Sequence, residues 1–246
     1  MCKRNIFWLV LLPMLTGCGN VTGNSGEVMQ DAAAPVDAKL AYALPSPATE
    51  GDISLEGALA GRRSRRDFQD RELSTEQLSQ ILWAAYGVTE HRPDSPALRG
   101  GLRTAPSAGA LYPLEIYAVV GNVADVGAGI YRYDSAEHQI VMIVEGDFRE
   151  ELSESALGQA MLKDAPVTVV YSAVFDRVAG RYGERGIERY VYMEVGHSAQ
   201  NVYLQAEALG LGTCAIGAFT DNGLRELLRL PSEEAPLYLM PVGFVN

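Results

Sequence analysis

The chain has 246 residues, of which 48% are hydrophobic and 21% charged, and its formal net charge at pH 7 is -11. This apolar content is too high for a disordered chain, and the acidic balance argues against nucleic acid as a partner. Three cysteines and three histidines exclude a disulfide scaffold and a four-thiolate zinc site, and they leave little for a histidine-based metal site.

The first 17 residues are typical of a bacterial export signal. Lys3 and Arg4 precede an apolar run at 6–15, which is too short to cross a bilayer about 30 Å thick as a helix. The run ends in Leu-Thr-Gly-Cys, which resembles a lipobox whose cysteine is acylated after cleavage. We therefore predict a signal peptide at 1–17, a lipid anchor on Cys18, and an exported protein attached to the periplasmic or cell-surface side of a membrane. An ordinary signal peptide or a short anchor is the alternative.

Residues 18–51 are rich in Gly, Asn, Ser, Ala and Pro and show no periodic pattern. This composition favours a flexible tether. The pattern changes to regular elements from residue 52, and we predict one folded domain at 52–246.

Capping residues predict two helices at the start of this domain. Ser54 can cap a short helix that ends near Gly61, and Ser74 with Gln77 forms a capping-box pattern ahead of apolar residues at helical spacing. The segment 91–113 contains several Gly and Pro and is predicted to be a long loop, which in a compact domain is usually functional.

The remaining elements mix strands and helices. Apolar patterns predict strands at 114–120, 129–133, 139–144, 167–174, 212–219 and 237–245, and helices at 189–209 and 221–230. Because the two kinds of element do not alternate strictly, we predict an α+β fold with a mostly antiparallel central sheet flanked by helices.

The segment 62–66 holds four arginines around Ser64 in a chain that is otherwise acidic. Such a cluster repels itself unless an anion or carboxylates neutralise it, and guanidinium groups match phosphate oxygens in bidentate geometry. Two interpretations remain open from composition alone: an anion site, or a solvated patch paired with Glu56, Asp67 and Asp70.

Two further segments are rich in small residues. Residues 104–113 could let the backbone approach a flat ligand, although alone they favour a structural turn before the next strand. Residues 210–219 place glycines where a ligand or another chain could come close. Their spacing is wrong for a dinucleotide fingerprint, and they follow a helix instead of a strand, so Rossmann binding is rejected.

Nucleophilic and metal chemistry have weak support. Cys214 lies in an apolar strand pattern, where a free cysteine is most often a small packed hydrophobe. Glu194 and His197 are placed on one face of the long helix without a second pair of ligands. We predict no metal site.

Taken in order, these segments resemble the nitroreductase-like flavoprotein family, and within it the SagB-type branch, which is named for azoline-oxidising dehydrogenases of peptide maturation. The resemblance covers about residues 55–244. It depends on the arginine run, on 106–113, on Glu-x-Gly-His-x-x-Gln-Asn at 194–201, and on glycine-containing segments at 210–219 and 241–243.

This resemblance implies an FMN-dependent oxidoreductase that transfers hydride between a small organic substrate and flavin N5. FMN would bind non-covalently at the interface of an interlocked homodimer. Three groups of residues match positions that bind the cofactor in the family. They are Arg62, Arg63, Ser64 and Arg66 for the phosphate and flavin; Pro106, Ser107, Ala108 and Gly109 for a loop that lines the ring from the partner subunit; and Ile216, Gly217 and Ala218 for the strand facing the reactive nitrogen edge.

The sequence departs from the family in two places. Many members have a basic residue just after the last strand, whereas this chain ends Gly-Phe-Val-Asn. Azoline-oxidising members have a Lys-Tyr pair ahead of the long helix. The corresponding stretch of this chain contains Arg181 and Tyr182 instead. Arg181 cannot act as a general base near neutral pH, which leaves Tyr182 as a candidate proton relay.

Two other functions compete with the oxidoreductase. One is a lipoprotein that uses the same fold to bind flavin or another ligand without turnover. The other is a structural lipoprotein whose arginines meet a partner protein or lipid headgroups.

Overall fold

The computed structural model of the protein describes residues 40–246. The predicted signal peptide, Cys18 and most of the predicted tether lie outside these residues. Within 40–246, none of the helices combines the length and the apolar character needed to cross a membrane.

Residues 40–246 form nine strands, seven of which make the central sheet. In chain order the strands are β1 (Ala41–Ala43), β2 (Val88–His91), β3 (Gly101–Arg103), β4 (Leu114–Val120), β5 (Gly129–Asp134), β6 (Gln139–Glu145), β7 (Val167–Val174), β8 (Gly212–Thr213) and β9 (Glu234–Gly243). The sheet order is β1-β6-β5-β4-β7-β9-β8, and every neighbouring pair is antiparallel. The strands β2 and β3 form a separate antiparallel hairpin. The predicted mostly antiparallel sheet is confirmed.

The helices of the described part are α1 (Leu55–Gly61), α2 (Thr75–Tyr86), α3 (Arg149–Ser155), α4 (Met161–Asp164), α5 (Asp176–Tyr182), α6 (Val191–Ala208) and α7 (Asp221–Leu227). A π-helical turn, Gly186–Tyr190, leads into α6. The predicted caps are confirmed, because the Ser54 hydroxyl accepts from the Gly57 N–H and Ser74 with Gln77 forms a reciprocal capping box.

Helices cover both faces of the sheet. Alternation along β4 directs Leu114, Ile116 and Ala118 into a core shared with α2 and α6. Tyr117 and Val119 point to the other face, where they pack with buried residues of α3, α4 and α7. The fold is therefore three layers, with α6 running beneath the strands β4, β7 and β9.

The folded part begins before the predicted boundary at residue 52. Tyr42 in β1 pairs with Ile140 in β6, and the Ala48 N–H donates to Gln80 Oε1 at 2.8 Å. The prediction of a tether through 51 is wrong for residues 41–48, because a short segment of tether-like composition adds its backbone to the edge of the sheet.

Three predicted elements also differ in extent. The predicted strand 212–219 is regular only at Gly212–Thr213, and Ile216 makes an isolated bridge to Leu239. The predicted loop 91–113 contains the end of the β2–β3 hairpin and two short 3-10 turns. The last strand begins at Glu234 rather than at 237.

Candidate functional site

The arginine run leaves the end of α1 and follows the edge of the sheet at β8. Ser64 forms a parallel bridge with Thr213, and the Arg65 N–H donates to the Thr213 carbonyl at 2.9 Å. Gly212 permits this approach, because a Cβ at this position would lie 2.7 Å from Arg65 Cβ. The sheet edge thus holds the run beside the segment 213–218.

Tyr203 of α6 connects the run to that segment. Its hydroxyl lies 3.0 Å from Ser64 Oγ and accepts a hydrogen bond from the Ala215 N–H at 2.8 Å. The guanidinium carbon of Arg62 lies 5.1 Å from the centroid of the Tyr203 ring. Two of the three predicted groups, the run and 216–218, therefore belong to one surface of a single chain.

The arginines of the run have no carboxylate partners. In residues 40–246 the ion pairs involve other cations, so none of the four guanidinium groups lies within 4.0 Å of a carboxylate oxygen. Arg63 donates only to the carbonyls of Ala60 and Arg62, at 3.0 Å and 2.7 Å. The run is largely exposed, as the alternative of a solvated patch predicts, but the expected pairs with Glu56, Asp67 and Asp70 are absent from residues 40–246, so the cluster has donors left for an external anion.

The segment 216–218 is held by its neighbours and stays open on one side. Ile216 exchanges backbone hydrogen bonds with Leu239 in β9, at 2.9 Å and 3.0 Å. An added Cβ on Gly217 would approach nothing closer than the Tyr238 ring at 3.8 Å. The Ala218 carbonyl accepts from Gln159 at 3.0 Å. A flat ligand could therefore lie against exposed backbone here.

The third predicted group, 106–109, lies at the other end of α6. Ser107 Oγ accepts from the Tyr112 N–H at 2.9 Å, and the Ser107 hydroxyl acts to lower the pKa of the Glu194 carboxyl. Gly109 has φ of 62°, and a Cβ there would lie 2.8 Å from Tyr182 Oη. Gly109 is thus required both by its left-handed backbone and by the closeness of Tyr182, the candidate proton relay.

Glu194 is a buried carboxyl that the sequence analysis did not place in a site. It is 2% exposed and accepts a hydrogen bond from the Tyr86 hydroxyl. Burial raises the pKa of Glu194, although the bonds from Ser107 and Tyr86 and the charge of Arg103 act in the opposite direction. His197 lies about one turn further along α6 and is exposed while Glu194 is buried, so the two side chains do not form one buried site.

Loop 106–109 and the arginine run contact different ends of α6. Glu194 and Tyr203 are nine positions apart, which corresponds to about 13 Å along a helix with a rise of 1.5 Å per residue. One chain therefore presents two separate candidate half-sites, the first around Ser107 and Tyr182 and the second around Ser64 and Ile216.

Thiol and metal chemistry have no support in the described residues. Cys214 is fully buried, and burial raises the pKa of its thiol, which keeps it protonated. Residues 40–246 hold no group of three or more His, Cys, Asp and Glu side chains placed to bind a metal ion.

The end of the chain shows one arginine beside the last strand. Arg71 stacks on Phe244, with its guanidinium carbon 3.5 Å from the ring centroid. This cation comes from the segment that follows the arginine run, not from the C-terminus, where many family members have their basic residue.

Comparison with known proteins agrees with this fold. The Nitroreductase family description matches residues 59–244. A relative from Methanocaldococcus jannaschii, the provisionally named nitroreductase MJ1384, is 48% identical over 192 residues, which cover 78% of this chain and 91% of the relative. A crystal structure from Ralstonia eutropha, also provisionally named a nitroreductase, is 31% identical with a TM-score of 0.70, covering 84% of this chain and 90% of that one. The chain belongs to the Nitroreductase family.

More distant relatives have named activities. The Microcin B17-processing protein McbC of Escherichia coli is 26% identical over 187 residues, covering 73% of this chain and 66% of McbC. The FMN reductase [NAD(P)H] of Bacillus subtilis is 24% identical over 199 residues, covering 76% of this chain and 64% of the relative. Both are similar to this chain across most of its folded part.

Proposed function

We propose that the protein is an FMN-dependent oxidoreductase that acts on a small organic substrate. The observation that carries the proposal is the run of four arginines, which have no carboxylate partner among residues 40–246 and are held by Tyr203 beside the open backbone at 216–218. The arginines would bind a phosphate, and the open backbone at 216–218 would lie against a flat ring. When bound, FMN supplies a ring that exchanges hydride with the substrate at N5.

The residues of the run would bind and orient the phosphate. Arg62, Arg63 and Arg66 supply guanidinium donors, and Ser64 adds a hydroxyl whose position Tyr203 holds. Thr213 supports this fit, because its buried Oγ1 has no hydrogen-bond partner and lies next to Ser64 in the bridge. Ile216, Gly217 and Ala218 would then lie against the ring edge.

A homodimer would bring the two half-sites together. We propose that Pro106, Ser107, Ala108 and Gly109 of one protomer line the ring bound by the arginines of its partner. Tyr182 stands beside Gly109 and would hold or pass a proton at its hydroxyl oxygen. Arg181, which is always charged, would contribute only electrostatically.

The substrate class is proposed from the branch that the chain resembles. McbC and this chain are similar across most of the fold, which supports a SagB-type dehydrogenase acting on a heterocycle derived from a peptide. A second candidate, a flavin- or ligand-binding module without turnover, is favoured by the replacement of the Lys-Tyr pair by Arg181 and Tyr182.

The test of the cofactor site is a double substitution in the full-length protein. Arg62→Ala with Arg66→Ala should weaken FMN binding by at least about 100-fold, because each charge-assisted hydrogen bond contributes about 1.5–3 kcal/mol. Flavin absorbance and mass spectrometry of the released cofactor are measured. The control is Arg92→Ala with Arg149→Ala, which removes the same charge from arginines paired with Glu90 and Asp147. Equal flavin content in both double variants would contradict the phosphate assignment.

Turnover separates the enzyme from the binding module. Anaerobic bleaching of the flavin absorbance by NADH, NADPH or a thiazoline-containing peptide would support an oxidoreductase. Bound flavin that none of these bleaches would favour the binding module.

We also propose that the protein is a membrane-anchored lipoprotein. The support is the basic start, the short apolar run and Cys18, all of which lie outside the described residues. Labelled palmitate should be incorporated by the natural chain and lost in Cys18→Ser. Label retained in C18S would refute the proposed anchor.

A further inference from the structure

A cavity of about 610 Å³ lies where β4 begins and β5 ends. Its volume is within the range of about 300–1,000 Å³ that is typical of small-molecule sites. It shares no lining residue with the proposed flavin site. The cavity has a charged wall, formed by Arg99, Arg103, Arg132 and Arg229, and an apolar wall, which includes Val141, Ile143 and Pro231.

The charged wall contains more cations than its carboxylates neutralise. Glu115, whose side chain is 6% exposed, accepts ion pairs from Arg99 at 2.7 Å, Arg132 at 2.7 Å and Arg177 at 2.5 Å. The single negative charge of Glu115 therefore faces three arginines, and the charged wall contains two more, Arg103 and Arg229.

The other carboxylates near the cavity are engaged elsewhere. Asp134, the second carboxylate of the lining, accepts from the N–H groups of Ala136 and Glu137. Glu234 and Glu194 lie behind Tyr117 and Tyr86 and bind the hydroxyls of these rings. The lining itself has four arginines against two carboxylates, which leaves an excess of positive charge in a strongly acidic protein.

Two of the arginines have donors to spare. Arg103 donates from Nη2 to the Arg99 carbonyl at 3.2 Å, whereas its Nε is buried without a hydrogen-bond partner, and its guanidinium carbon lies 4.3 Å from the centroid of the Tyr86 ring. Burial lowers the pKa of Arg103 more than the charges of Tyr86 and Glu115 raise it. Arg229 stands exposed at the rim with no carboxylate within 4.0 Å in the described chain.

We propose that this cavity binds a small organic carboxylate. Its charged group would accept hydrogen bonds from Arg103, with Arg229 adding attraction at the rim, and its hydrocarbon part would lie against Val141, Ile143 and Pro231. Within residues 40–246 the Arg103 guanidinium has a carbonyl partner but no carboxylate within 4.0 Å, and a carboxylate is the partner that a guanidinium matches best. The apolar wall favours an organic anion over an inorganic one.

The test is calorimetric titration of the full-length protein with benzoate, hexanoate and citrate. Benzamide is the uncharged control for benzoate, and inorganic phosphate represents an anion without an apolar part. We expect saturable binding of at least one carboxylate, with benzamide at least tenfold weaker. Arg103→Met should weaken binding at least tenfold. Arg229→Met, at the exposed rim, should weaken it at least threefold. Arg92→Met, which removes a charge outside the cavity, should leave binding unchanged.

Four other outcomes of these titrations would overturn the proposal. The absence of binding by all three acids excludes the site, and equal binding of benzamide makes it an apolar pocket. Phosphate binding as tightly as the best carboxylate would indicate a simple anion site. Binding that survives Arg103→Met and Arg229→Met but is lost in Arg62→Ala with Arg66→Ala would place the acid on the arginine run.

Discussion

Glu115 is the residue whose charge affects the fold most directly. It is 5% exposed at the start of β4. Burial acts to raise its pKa, but Arg99, Arg132 and Arg177 outweigh burial and lower the pKa from 4.5 to about 2. Since the carboxylate is more acidic in the folded chain than in the unfolded one, its ionisation stabilises the fold above about pH 4.5.

The substitution Glu115→Gln should therefore destabilise the protein in a pH-dependent way. At neutral pH we expect a loss of about 3 kcal/mol in the free energy of unfolding, from the difference between the two pKa values. The loss should shrink as pH falls from about 4.5 towards 2, because the natural side chain is then protonated as well. Urea unfolding at several pH values measures it. Glu90→Gln, which breaks an exposed pair, should cost less than about 1 kcal/mol. A deficit of E115Q that does not change with pH would show that charge is not its cause.

Tyr203 offers a test of how a single hydroxyl organises the proposed flavin site. Tyr203→Phe keeps the ring under Arg62 but leaves Ser64 and the Ala215 N–H without their shared partner. We expect a loss of about 1–2 kcal/mol in stability and roughly tenfold weaker FMN binding. Thermal unfolding and flavin titration are the measurements. Tyr192→Phe, at a tyrosine that is 53% exposed, is the matched control. Unchanged flavin affinity in Y203F would remove Tyr203 from the site.

At the scale of residues, chemistry that is concentrated in one segment could be predicted from the sequence, and chemistry assembled across segments could not. The arginine run stands out in an acidic chain, so its availability for an anion was one of two explicit alternatives. Tyr203 and Glu194 both lie in α6, whose apolar pattern predicts a helix that packs against the core. For both residues, the sequence shows only a polar group within an apolar pattern. Their hydrogen-bond partners, among them Ser64, Ala215 and Tyr86, belong to segments of the chain outside α6.

At the scale of elements, α1 and α2 could be predicted from their caps and α6 and α7 from their apolar patterns, whereas the short helices α3, α4 and α5 were not predicted. α1 and α2 begin at serines that accept hydrogen bonds from the first turn. α3, α4 and α5 have no side-chain cap and bury Leu152, Leu162 and Val178. Their stability comes from tertiary packing, which local patterns do not show.

The close approach of the arginine run to β8 depends on the absence of a side chain at Gly212. In Gly212→Ala the new Cβ would lie 2.2 Å from Val245 Cγ1 and 2.7 Å from Arg65 Cβ, so the run must move away from the sheet edge. We expect a loss of about 1–3 kcal/mol in stability and weaker FMN binding. Gly180→Ala, on α5, meets nothing within 4 Å and should be neutral or slightly stabilising. Thermal unfolding and flavin titration compare the two. Wild-type behaviour of G212A would mean that the backbone contact is not restrictive.

At the scale of the molecule, the two half-sites at opposite ends of α6 make a quaternary prediction. If each flavin needs the arginines of one protomer and loop 106–109 of its partner, damage to either half should empty every site in a homodimer. A mixed dimer of the two damaged chains would instead have one site with both halves damaged and one site with both halves intact.

Co-expression of differently tagged chains tests this arrangement. One chain has Arg62→Ala with Arg66→Ala, and the other has Gly109→Trp, which fills the space beside Tyr182. Each alone should purify with little flavin, and the mixed dimer, isolated through both tags, should recover up to half of the natural content. If one chain supplied both halves of its own site, the mixed dimer would hold no more flavin than its parents. Recovery of about one flavin per dimer therefore requires that each site be built by two subunits.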